Sequence, residues 1–125
     1  MATKPLTKVT YGVANRSINV RWDNLLNGDD GQSVLLDDYI VQSVQVFGTI
    51  GAGFNLNCQG SNEVLDIPLN WGLIASFSTA IAVGLIIPDA ATEAYPVNVR
   101  NFRPIVTAGD GTTAITVILQ GLRRS

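Results

Sequence analysis

Two acidic pairs, Asp29-Asp30 and Asp37-Asp38, each set two carboxylates side by side, the arrangement from which a cation site can be built. Hard cations such as Ca²⁺ take several carboxylate oxygens at once. Neither pair fits the spacing of an EF-hand loop, and acids in Gly-rich turns form turns without any ion, so no metal is expected. Glu63 and Asp66 are the nearest thing to the paired carboxyls of a glycosidase, but no other residue marks them as a cleft. Ser61 and Ser76 have no histidine to activate them, because the chain contains none. Gly51-Ala52-Gly53 lacks the lysine and following helix of a phosphate loop. Cys58 is the single cysteine, which excludes an intrachain disulfide and a cysteine-based zinc site. Within its alternating run it reads as a small buried apolar group. The sequence therefore predicts no catalytic residue, no cofactor and no enzyme.

The residues suited to binding are two tryptophans and a set of cations. Trp22 is in phase with Ile18 and Val20 and is expected in the core. Trp71 follows Asn70 in an irregular segment; it reads as a second core residue or as an exposed indole that could stack on a partner. Lys4, Lys8, Arg16 and Arg21 lie at the start of the chain; Arg100, Arg103, Arg123 and Arg124 lie at its end. No Lys or Arg occurs between Trp22 and Val99, where the acids gather. Either these are ordinary solvated loops, or the molecule has a cationic and an anionic end that orient it on a charged partner. The candidate partner contacts are Lys4, Lys8, Arg100, Arg103, Arg123, Arg124 and Trp71. A formal charge of −2 does not suggest nucleic-acid binding.

Strands must position these residues. The alternation in residues 17–25 puts Ile18, Val20 and Trp22 on one face. Residues 39–49 form a second strand, with Val41, Ser43, Gln45 and Phe47 opposite Gln42, Val44 and Val46. Apolar groups on both faces make it central. Residues 54–60 alternate most cleanly, with Phe54, Leu56 and Cys58 inward. Residues 48–53 are expected to close a hairpin. A second hairpin is expected over residues 100–124, turning at Ala108-Gly-Asp-Gly, with Ile115, Val117 and Leu119 sharing a face. Residues 67–88 form an uncharged run near membrane-spanning length. Asp66 and Asp89 bracket it, prolines lie at its ends, and large and small residues alternate, so strands are expected rather than a span or a helix. Residues 88–96 read as loop. Residues 1–16 have little periodicity and read as a mobile arm or an edge segment, with no signal peptide. The whole is expected to be one all-β domain over residues 17–125, an antiparallel sandwich or small barrel of about six to eight strands.

A series of short motifs runs through these strands. Trp22 is followed by Leu26-Asn-Gly-Asp29; then come Ser43-Val-Gln-Val-Phe-Gly-Thr-Ile-Gly51 and Gln59-Gly-Ser-Asn62. Later come Arg103-Pro-Ile-Val-Thr107, Gly109-Asp-Gly111 and a last strand ending Arg123-Arg124. Over residues 18–62 and 99–124 the chain resembles a group of small β-rich virion proteins of tailed bacteriophages, regarded as capsid decoration or cement proteins. It departs from them after Asn62, where eight residues precede Trp71, so no role is carried over to that loop. The resemblance implies a non-enzymatic protein on the capsid exterior, partnered by the major capsid protein and clamping neighbouring capsomers. It further implies a homo-oligomer, with a trimer favoured, and no membrane or nucleic-acid partner. A place in the tail, collar or fibre, or a carbohydrate- or surface-binding sandwich module, are the alternatives.

Overall fold

The computed structural model describes residues 2–36, 38–64, 68–78, 85–87 and 99–123, the segment 85–87 by its backbone alone. The chain passes through β1 (Thr3–Lys4), β2 (Leu6–Tyr11), a 3₁₀ turn (Val13–Asn15), β3 (Ser17–Leu26), β4 (Asp30–Gly31) and β5 (Val34–Leu35). It continues through β6 (Tyr39–Thr49), β7 (Asn55–Ser61), β8 (Gly72–Phe77), β9 (Leu85–Ile87), β10 (Asn101–Ala108) and β11 (Ala114–Arg123). Three of these strands, β1, β4 and β5, are only two residues long. Eight longer ones carry the architecture.

They form two sheets. One has the order β1-β4-β10-β7-β8, with β5 also on β10; the other has the order β2-β3-β11-β6-β9. Pairing is antiparallel except between β1 and β4. Alternating side chains from both sheets meet in one core: Ile18, Val20, Trp22, Val44, Val46, Val117 and Leu119 from one, Leu56, Cys58, Phe102 and Val106 from the other. The all-β sandwich is thus the architecture, and Trp22 and Cys58 are core residues.

Neither expected hairpin forms. β6 and β7 lie in different sheets, and so do β10 and β11. Residues 50–54 and 109–113 are corners that carry the chain from one sheet to the other. A Gly-rich turn can serve a hairpin or a corner equally well; which one forms is decided by the longer-range pairing of the flanking strands. The two corners lie side by side. Asp110 accepts the Ala52 N–H (2.8 Å), and the Thr113 hydroxyl donates to the Ile50 carbonyl (2.7 Å). Gly51 has φ +72°, and a Cβ there would run into the Asp110 carboxylate.

β6 is interior to its sheet, as its two apolar faces suggest, but its phase is not the simple alternation. Against β11 the register steps from Gln120↔Ser43 to Gly121↔Val41, skipping Gln42. This bulge lets Val41 and Val44 both point inward.

The first residues are not a separate arm. β2 pairs along the whole of its length with β3, and β1 pairs with β4. Of the two readings of this segment, the edge segment is the one seen for residues 3–11. In the long apolar run, residues 72–77 and 85–87 are strands. Residues 79–84 and the expected loop over residues 88–96 lie outside the described residues. Among the described residues no helix is long and apolar enough to cross a membrane.

Candidate functional site

β10 buries Phe102, Pro104 and Val106, so the residues between them face out. Arg103 is therefore presented on the outer face of its sheet, directly opposite Gln59 of β7. Its Nε donates to Gln59 Oε1 at 2.9 Å, and its Nη1 lies 3.4 Å from Asp30 Oδ2. Asp30 is brought there by pairing twice over, opposite Ile105 of β10 and Thr3 of β1. Its other oxygen accepts from the Thr3 hydroxyl at 2.8 Å. The Arg103 guanidinium also lies 4.2 Å from the centre of the Trp71 ring, close enough for a cation–π contact. Burial lowers the pKa of Arg103 from its ordinary value, and Asp30 works against that shift.

Trp71 is delivered by the loop before β8. Glu63 shapes that loop by accepting the backbone N–H groups of Leu69 and Asn70. Trp71, Arg103, Asp30 and Thr3 join Gln32 and Ser33 around a cleft of about 200 Å³. Further along the same outer face lies a polar ladder. Asn55 donates to Asn57 (3.0 Å) and Thr107 (2.6 Å) and accepts from Ser76 (3.0 Å).

The other proposed contacts are dispersed. Lys4 sits next to this cleft but is engaged with Asp29, at 3.6 Å. Asp29 is buried and accepts the backbone N–H groups of Ala2 and Leu26 at 2.9 Å each. Burial would raise its pKa; those two N–H groups and the Lys4 ammonium outweigh burial and lower it. Lys8 is exposed on β2. Arg123 donates to the Ala14 carbonyl at 3.0 Å and lies 5.6 Å from the Tyr39 ring centre. Arg100 donates its backbone N–H to Asn62 at 3.3 Å. Arg124 lies outside the described residues. The structure thus gathers Trp71 and Arg103, with Lys4 nearby, and leaves Lys8, Arg100 and Arg123 elsewhere.

The linear separation of charge is largely folded away. Lys4, Arg21 and Arg103, from the two ends of the sequence, pair with Asp29, Asp23 and Asp30 from its acidic middle or the border of it. The acidic pair at residues 29–30 is spent on these contacts. Asp37 lies outside the described residues, and no group of three or more Cys, Asp or Glu able to hold a metal forms among the described ones.

Asp110, Gln32 and Gln59 take roles here that their local sequence does not signal. Asp110 stood in a recognised turn, but its link to Ala52 spans 58 residues. No local signal announces such a partner. The geometry defines a two-sheet β-sandwich with a small aromatic cleft on one outer face and, among the described residues, β2 at the edge of the other sheet. No protein-family model matches the chain, and the search of curated proteins finds no match.

Proposed function

We propose that this chain is a non-enzymatic virion structural protein of a tailed bacteriophage, a head decoration or cement subunit. It binds the exterior of the capsid shell, contacts the major capsid protein and bridges neighbouring capsomers, acting as a homo-oligomer, with a trimer the favoured form. Besides the motif resemblance, one observation supports an attachment role. β2 is an edge strand whose residues from Thr7 to Tyr11 are all exposed, and among the described residues no strand pairs with its outer side. Around it lie Lys8, Arg16 and Arg123, which form no ion pair among the described residues, and the exposed apolar groups Val9, Tyr11 and Leu122. Such a surface suits docking on an acidic protein lattice, with apolar area to bury and cations to steer. Repetition around a closed oligomer multiplies weak contacts of this kind.

Co-sedimentation with undecorated heads across a salt series tests the reading. The wild type is expected to pellet with heads and to release as salt rises. The variant Lys8→Glu with Arg16→Glu is expected to bind at least about tenfold more weakly, with a shallower salt dependence. Equal binding by both would remove the cationic edge from the contact.

A further inference from the structure

We propose that the cleft beside Trp71 is a binding site for a single neutral pyranose ring. The docking edge lies on β2 of the other sheet, so this is a second site on the molecule and does not rest on the capsid reading.

The chemistry of the walls selects the ligand. A cleft of about 200 Å³ is smaller than the roughly 300–1,000 Å³ that drug-sized ligands fill, so it suits one ring. Its charged groups are one guanidinium and one carboxylate, Arg103 and Asp30, already paired with each other at 3.4 Å. A phosphate or carboxylate ligand would have to compete with Asp30 for Arg103. A neutral polyol need not, because it can both donate to the carboxylate and accept from the guanidinium.

Donors remain for it. Arg103 uses Nε on Gln59 and Nη1 on Asp30, and Nη2 makes no hydrogen bond among the described residues. Gln32 uses its Oε1 to accept the Leu6 N–H at 3.2 Å, which orients the amide, and Nε2 makes no hydrogen bond among the described residues. The Ser33 hydroxyl is likewise unused among the described residues. Planar, oriented groups of this kind match the paired hydroxyls of a sugar. The Arg103 guanidinium lies 4.2 Å from the centre of the half-buried Trp71 ring, so the apolar wall left for the C–H face of a pyranose is the edge of the indole beside that stack.

The site is also held rigid. Thr3 fixes one oxygen of Asp30, and Gln59 fixes the Arg103 guanidinium. At Gly31 in the floor a Cβ would come within 2.7 Å of both Trp22 and Pro104, so the backbone there is pressed onto the core. Little order has to be created on binding, which favours even a small ligand.

The free protein tests the proposal. Its two tryptophans give two indole N–H resonances, and the buried Trp22 indole, bonded to the Gln32 carbonyl at 2.9 Å, reports on the fold. Glucose, galactose, mannose, N-acetylglucosamine and, separately, glucuronate are each titrated to high millimolar concentration. At least one neutral hexose is expected to shift the Trp71 resonance saturably, with a smaller movement of Trp22. Calorimetry on Trp71→Ala and Arg103→Gln should show affinity reduced at least about tenfold, with the Trp22 resonance keeping its native position. No saturable shift with any neutral hexose, saturation by glucuronate alone, or unchanged affinity in Trp71→Ala would each overturn the proposal. Failure here leaves attachment to heads untouched, because that is read on particles.

Discussion

Asp110 ties two corners together with one carboxylate. It accepts the Ala52 N–H, the Thr112 hydroxyl and the Thr112 N–H, and these hold its pKa down to about 2 from an ordinary 3.8. A depressed carboxyl stabilises the folded state fully above its unfolded pKa, and that stabilisation is lost as pH falls through the folded value. Denaturant midpoints measured from pH 5 downward should therefore begin to fall near pH 4 and keep falling to about pH 2. Asp110→Asn should remove part of that acid dependence; an unchanged acid limb would show that the tie contributes nothing. The two tryptophans should separate in the same experiment. Trp22 is wholly buried, so Trp22→Ala should cost about 3–5 kcal/mol at neutral pH. Trp71→Ala, at the surface, should cost about 1 kcal/mol or less.

At the scale of elements, β1 and β2 join the start of the chain to both sheets, and Asp29 is the link. It is buried, and it holds the Ala2 and Leu26 N–H groups and Lys4. Asp29→Ala leaves those N–H groups without their acceptor, at a cost of about 1–3 kcal/mol. Hydrogen exchange at Lys4 and Gln32 should accelerate more than at Val117 in the central β11; uniform acceleration across the sheets would contradict a local tie. The positions of β3 and β7 were legible in the sequence because each buries alternate residues over most of its length, and that of β6 because it is apolar on both faces. Their partners were not. The corners at residues 50–54 and 109–113 carry the same Gly and Asp signals as hairpin turns, and only packing across the sandwich distinguishes the two. The bulge opposite Gln120 was equally hidden, since Val41, Ser43 and Gln45 look like one unbroken face. The loss of the hairpin over residues 100–124 weakens the motif resemblance, because those residues carry about a third of it.

For the whole molecule, a sequence with cations at its ends and acids in its middle folds so that the two meet. Arg103 and Asp30 are 73 residues apart and Thr3 and Asp30 are 27 apart. Trp71, Arg103 and Lys4 could be singled out by residue type, but their convergence depends on the pairing of β1, β4 and β10. Among the described residues, Lys8, Arg16 and Arg123, which form no ion pair there, lie around the edge strand β2, and the proposed attachment to a capsid depends on that surface. Reconstruction of undecorated heads incubated with the wild-type protein tests it most directly. Added density is expected at the three-fold and quasi-three-fold positions, with β2 facing the shell and each copy touching two capsomers. Heads with no added density at any position would contradict it.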